Sequence, residues 1–154
     1  MIVVSDSSPL ISLARIGRLE LLQRLFGKVF IPQAVYAETV VVGREKGSAK
    51  QPVSAAAWIK TVIVRNSQAV VALLSELDQG EAETIVLAQE LNAERALMDE
   101  KAGRRKLTQM GINIKVGILG ILLRAKSAGL LSGVRPDIEK LRTLVSAKLS
   151  SMPS

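Results

Sequence analysis

Four acidic residues, Asp6, Glu38, Glu81 and Asp99, fall where short apolar runs hand over to helical patterns. The chain has no histidine and no cysteine. That removes the commonest general base, the thiol nucleophile and the usual transition-metal ligands. Carboxylates gathered at one end of a parallel sheet keep one obvious use, which is to hold a hard divalent cation, Mg²⁺ or Mn²⁺. Packed together without a cation they would raise one another's pKa values, and a bound ion relieves that repulsion. An ion in such a place can activate water and stabilise the leaving oxygen of an in-line displacement. Each acid also has a plain structural use. Asp6 and Asp99 can cap helices, Glu81 at a helix start gains from the macrodipole, and Glu38 can be a solvated helix residue.

The elements that must position these acids are legible in the apolar pattern. Ile2 to Ser5 reads as a buried strand ended by Asp6, and Ser8-Pro9 as an N-cap followed by a first-turn proline. A helix to about Arg15, stopped by Gly17, and a second short helix over Leu19 to Leu25 follow. Lys28 to Ile31 is the second strand. Pro32 opens a helix to about Val42 with Glu38 inside it. Gly43 to Pro52 is polar and reads as a loop. Ala55 to Trp58 is a helical turn, Thr61 to Val64 a third, edge-like strand, and Val70 to Leu77 a helix. Asp78-Gln79-Gly80 is a turn before a helix over Glu81 to Leu91. Arg95 to Met98 is a strand, and Lys101 to Met110 a helix closed by Gly111. Ile112 to Val116 is another strand, and Ile118 to Ala128 a helix stopped by Gly129. A last helix is expected over about 137–148, with 151–154 frayed. Strands and helices alternate through short connections, so the expected fold is a three-layer α/β/α domain with a mostly parallel central sheet. It occupies residues 1–150 as a single domain. In such sheets the site lies beyond the carboxyl ends of the strands.

Composition agrees with that architecture. Of 154 residues, 48% are hydrophobic but only 3% aromatic, so the core must be built from Val, Ile, Leu and Ala, which suits parallel strands covered by helices. Without cysteine there is no disulfide framework. The apolar stretch Val116 to Leu123 is too short to span a bilayer. Together these features predict a soluble cytoplasmic protein with no membrane span. Lys and Arg total 21 against 14 acids, a net charge of +7 that favours an anionic partner. Lys101, Arg104, Arg105, Lys106, Lys115, Arg124 and Lys126 follow directly on Asp99 and Glu100 with no acid among them. A basic surface beside an acidic pocket is what a metal-dependent enzyme acting on a phosphodiester needs. The same bases also read as the solvated face of an amphipathic helix. So few aromatics argue against recognition by base stacking.

Four segments carry a family resemblance: Val4-Ser5-Asp6-Ser7-Ser8-Pro9, Ile31-Pro32-Gln33-Ala34-Val35-Tyr36-Ala37-Glu38, Leu77-Asp78-Gln79-Gly80-Glu81-Ala82-Glu83-Thr84 and Ala96-Leu97-Met98-Asp99-Glu100. In order and spacing, over roughly residues 1 to 145, the chain resembles a PIN domain, and within that superfamily the DUF3368 group. The Gly80-Glu81-Ala82-Glu83 stretch and the segment from Gly111 to Leu122 are similar to marks of that group. The resemblance implies a Mg²⁺- or Mn²⁺-dependent ribonuclease of the VapC-like toxin kind. It also implies a small antitoxin partner and a homodimer. Asp6, Glu38, Glu81 and Asp99 match the family's acidic positions, although Glu100 adjoins Asp99 and competes for the fourth. Ser7 or Ser8 matches the hydroxyl residue that supports the first acid. Leu97-Met98-Asp99 stands where many toxins carry Thr-x-Asp.

On this reading Asp6 and Asp99 are the principal metal ligands and Glu81 completes the set directly or through water. Glu38 orients or deprotonates the attacking water. Ser7, Lys101, Arg104, Arg105 and Lys115 make up the nucleic-acid-binding surface. Two other function classes stand beside it. One is a catalytically silent PIN-like module that binds nucleic acid or protein. The other is a phosphoacceptor signalling domain, slightly supported by Lys115 but lacking an adjacent acidic pair, since the first strand ends Ser5-Asp6-Ser7.

Overall fold

Val3 and Val4 are neighbours in the chain yet lie in different cores, which is the signature of a strand buried on both faces. In a computed structural model, which describes residues 1–46, 53–99, 101–111 and 115–130, this strand is the centre of the sheet. Strands β1 (Val3–Ser5), β2 (Val29–Pro32), β3 (Ile59–Val62), β4 (Arg95–Leu97) and β5 (Lys115–Val116) run in the order β3-β2-β1-β4-β5, and every pairing is parallel. Among the described residues every strand pairing is parallel, as expected, and β3 lies at the edge of the sheet.

Helices cover both faces. Val3, Ile31 and Leu97 pack with α1 (Ser7–Arg15), α2 (Glu20–Phe26) and α7 (Ile118–Ser127) through Leu10, Leu22 and Ile121. Ala96 and Met98 point the other way. They join Val70, Ile85 and Leu107 of α4 (Ser67–Leu73), α5 (Gln79–Glu90) and α6 (Lys101–Gln109). Helix α3 (Gln33–Lys46) contributes Val35 to the first core and packs against α1 and α5. The result is a three-layer α/β/α domain.

The winding sets the site. From β1 the chain moves outward through β2 and β3, then returns to the other flank of β1 with β4 and β5. Strand order therefore reverses between β1 and β4. The crevice beyond their carboxyl ends is where ligands bind in open parallel sheets. Register is firm there, with Val3, Val4 and Ser5 opposite Arg95, Ala96 and Leu97.

Several local expectations shift. The cap of α1 is Asp6, not Ser8, and Pro9 falls in the first turn, where its missing N–H has no intrahelical partner to lose. Pro32 ends β2 instead of opening α3, and α3 continues past Gly43 to Lys46. A 3-10 turn forms at Val53–Ala55, earlier than expected, and β3 and α4 each begin sooner. Gly80 lies inside α5, whose cap is Asp78, so Asp78-Gln79-Gly80 is not a free turn. Helix α5 ends without glycine. Asn92 takes φ 52°, its N–H donates to the Gln89 carbonyl (3.2 Å) and that of Ala93 to the Ala88 carbonyl (2.9 Å), a Schellman end. Residues 112–114 of the expected fifth strand, the expected helix over 137–148 and the tail at 151–154 lie outside the described residues. Among the described residues, no helix is long and apolar enough to cross a membrane.

Candidate metal and catalytic site

Asp6 is the first residue beyond β1 and is held from both sides. Its N–H donates to the Leu97 carbonyl of β4 (2.9 Å), and its Oδ1 accepts the Ser7 N–H (2.8 Å). The side chain is only 2% exposed. Burial pushes its pKa from 3.8 up to about 7. The Ser7 amide opposes that rise, while Glu38, Asp78 and Glu81 add to it. The cap reading of Asp6 therefore holds, and the same carboxylate lies buried near Glu38, Asp78 and Glu81.

Glu38 comes from the second turn of α3. Its Oε2 accepts the Ser7 hydroxyl at 2.6 Å. Its Oε1 occupies the space where a Gly80 side chain would begin, so the bare backbone of α5 forms one wall of its pocket. The Glu38 carboxyl is raised above its ordinary range, mainly by burial, with Asp78 and Glu83 adding and the Ser7 hydrogen bond opposing. Ser7, not Ser8, is thus the hydroxyl that meets an acid, and the acid it meets is Glu38.

Glu81 is 8% exposed and forms a capping box with Asp78. The Glu81 N–H donates to Asp78 Oδ1 (2.8 Å), and Glu81 Oε1 accepts the Asp78 N–H (3.1 Å). One oxygen of Glu81 thus has a structural task, while its charge bears on Asp6.

Asp99 follows β4. Its Oδ1 and Arg104 Nη1 stand 2.7 and 3.5 Å from the position a Gly117 Cβ would take, so acid and guanidinium crowd together over the glycine that begins α7. Arg104 is exposed; Arg105 is exposed too and bears on Glu76 of the α4–α5 connection. Lys106 binds Glu76 at 2.8 Å, and that hydrogen bond and charge hold the Glu76 carboxyl below its ordinary range. The basic stretch is therefore divided, with Arg104 beside Asp99 and Lys106 spent on an ion pair. The side chains of Lys101 and Lys115, and all of Glu100, lie outside the described residues.

The structure brings Asp6, Ser7, Glu38 and Glu81 together and puts Asp99 on the adjoining strand end. Sequence reasoning gave no site role to Asp78, read as part of a turn, or to Glu83, although both bear on Glu38. Asp78 had a signal, since Asp-x-x-Glu before an apolar run is a capping box. Glu83 had only its four-residue spacing from Gln79, whose Nε2 it accepts at 2.6 Å.

The donor set suits a hard divalent ion, because every candidate ligand is a carboxylate oxygen. The buried Asp6 carboxyl amid three other carboxylates is also a group that a cation would relieve. Among the described residues no three acids stand close enough to cage a metal on their own. Mg²⁺ is ordinarily held by one or two carboxylates together with water and substrate phosphate, so the arrangement fits that mode rather than an all-protein cage.

A family model described as DUF3368, a PIN domain, matches residues 2–150. A comparison with curated proteins finds no match.

Proposed function

We propose, because the chain belongs to the DUF3368 family of PIN domains, that it is a Mg²⁺- or Mn²⁺-dependent endoribonuclease, toxin-like in kind, that hydrolyses RNA phosphodiesters. PIN domains have a nuclease-type fold, and the observation that carries the finer reading is Asp6. It is a buried carboxyl with pKa about 7 at the point where strand order reverses, beside a Glu38 held by Ser7.

Asp6 and Asp99, on adjoining strand ends, are the residues that would hold the ion, with Glu81 joining directly or through water. When bound, the ion supplies positive charge to the scissile phosphate and lowers the pKa of water. Glu38 accepts the proton of the attacking water. Burial raises its pKa, which makes it a stronger base than an ordinary glutamate, and the Ser7 hydroxyl aims it. Water adds to phosphorus, the P–O3′ bond breaks, and the 3′-oxygen leaves as a hydroxyl while the phosphate stays on the 5′ end of the other fragment. Arg104, beside Asp99, and the basic residues Lys101, Arg105 and Lys115 hold the RNA backbone. A small antitoxin partner, a homodimer and a cytoplasmic setting belong to the same reading.

The test is cleavage of RNA with Mg²⁺ or Mn²⁺ by wild type and by Asp6→Asn. Equal cutting by the two ends the proposal. Salt-sensitive RNA binding without cleavage by the wild type would replace it with a silent binding module.

A further inference from the structure

We infer that Glu83 is a positioning residue for Glu38, acting from α5 by holding the N-terminus of α3. The inference rests on the nuclease reading for its catalytic meaning, though the geometry stands independently of it.

The first N–H groups of a helix have no intrahelical acceptor and need one from outside. Helix α3 follows Pro32, whose side chain cannot accept a hydrogen bond. The acceptor comes from 49 positions away: Glu83 Oε1 takes the Ala34 N–H at 3.2 Å. A carboxylate there also answers the positive end of the helix dipole. Its other oxygen, Oε2, accepts Gln79 Nε2 at 2.6 Å, so the group is fixed on its own helix before it reaches α3.

Glu38 lies four residues beyond Ala34, one turn along the same helix. Its carboxylate is confined by the Ser7 hydroxyl on one side and by Gly80 on the other. Gly80 and Glu83 belong to the same first turns of α5. That helix therefore sets Glu38 twice, by leaving space for its oxygen and by anchoring the start of the helix that carries it. A small shift of α3 would take Glu38 out of reach of Ser7. Misplacement of about 1 Å at a reacting group can cost about a hundredfold in rate.

The experiment compares Glu83→Ala with Glu83→Gln, which keeps an acceptor for the Ala34 N–H but loses the charge. Two readouts need no catalysis, namely amide hydrogen exchange at Ala34 and the side-chain carboxyl ¹³C resonance of Glu38. In Glu83→Ala, Ala34 exchange is expected to quicken at least about tenfold and the Glu38 resonance to move. In Glu83→Gln, Ala34 exchange stays near wild type, and the Glu38 resonance moves only as far as loss of the neighbouring charge dictates, less than in Glu83→Ala. With RNA and Mn²⁺, Glu83→Ala is expected to lose about tenfold to a hundredfold in kcat with KM little changed, and Glu83→Gln to recover most of that loss. Unchanged Ala34 exchange and an unmoved Glu38 resonance in Glu83→Ala overturn the inference. So does full kcat in Glu83→Ala where Glu38→Gln has lost activity. A wild type that cuts no RNA instead removes the nuclease reading, and the two spectroscopic readouts then decide the tie between α5 and α3.

Discussion

The Ser7 hydroxyl donates to Glu38 Oε2 at 2.6 Å across 31 positions of sequence, while the Ser7 amide donates to Asp6 Oδ1 at 2.8 Å. One serine thus connects the central strand end to α3 and addresses two carboxylates with two different donors. Alanine at this position removes the hydroxyl and leaves the amide donor in place. Ser7→Ala is expected to keep the cap on α1 and lower kcat by about tenfold, with a stability loss of about 1 kcal/mol. RNA cleavage alongside urea unfolding checks this.

Asp6 makes stability depend on pH. An acid whose pKa rises from 3.8 to about 7 on folding contributes its stability fully below 3.8, loses it as pH climbs, and has none left above about 7. The difference is worth about 4 kcal/mol at most. In the presence of a chelator, wild type is expected to weaken between pH 4 and pH 8, and Asp6→Asn to flatten that slope while abolishing cleavage. Denaturant unfolding at a series of pH values measures it. Equal slopes in the two proteins would contradict the assignment.

The same carboxyl predicts the response to metal. Adding Mn²⁺ at neutral pH is expected to raise the unfolding midpoint, by about 2.7 kcal/mol of stability at a hundred times the dissociation constant. Asp6→Asn should lose this shift. A midpoint in wild type that ignores Mn²⁺ and Mg²⁺ would count against a metal enzyme.

Gly80→Ala separates activity from stability. The new methyl collides with Glu38 Oε1, which is the end of a flexible side chain and can swing away. Helix interior preference favours alanine over glycine by about 0.5–1 kcal/mol, which offsets the lost contact. Stability is therefore expected to change by less than about 1 kcal/mol while cleavage falls about tenfold. Combined with Ser7→Ala the losses should be less than additive, because both act on one carboxylate.

Arg104 and Lys106 lie within one turn of each other on α6 but face different tasks. Arg104→Ala is expected to weaken RNA binding and reduce its salt dependence by about one ion. Lys106→Ala breaks only the exposed pair with Glu76 and should change stability by less than about 1 kcal/mol. RNA titrations at several salt concentrations distinguish the two.

The layered fold was legible because its cues are local. Val3 and Val4 announce a buried strand, and Gly17, Gly111 and Gly129 mark chain reversals at helix ends with φ between 72° and 81°. The acids at strand ends were legible for the same reason. Less legible was the wiring between them. Ser8-Pro9 mimics a cap, yet Asp6, the first residue beyond the strand, takes that place by accepting the Ser7 N–H. The contacts of Ser7 with Glu38 and of Glu83 with Ala34 join segments 31 and 49 positions apart, and no local pattern records such a pairing.

The central strand meets β2 soon after synthesis but must wait for residues 95–97 before its other edge is satisfied. A nascent chain that has reached Leu91 already carries Asp6, Ser7, Glu38 and Glu81, but not Asp99 or the strand that accommodates the Asp6 amide. Long-range parallel pairing of this kind forms late. On the proposed nuclease reading, the acid cluster therefore stays incomplete until the second half of the chain has joined the sheet.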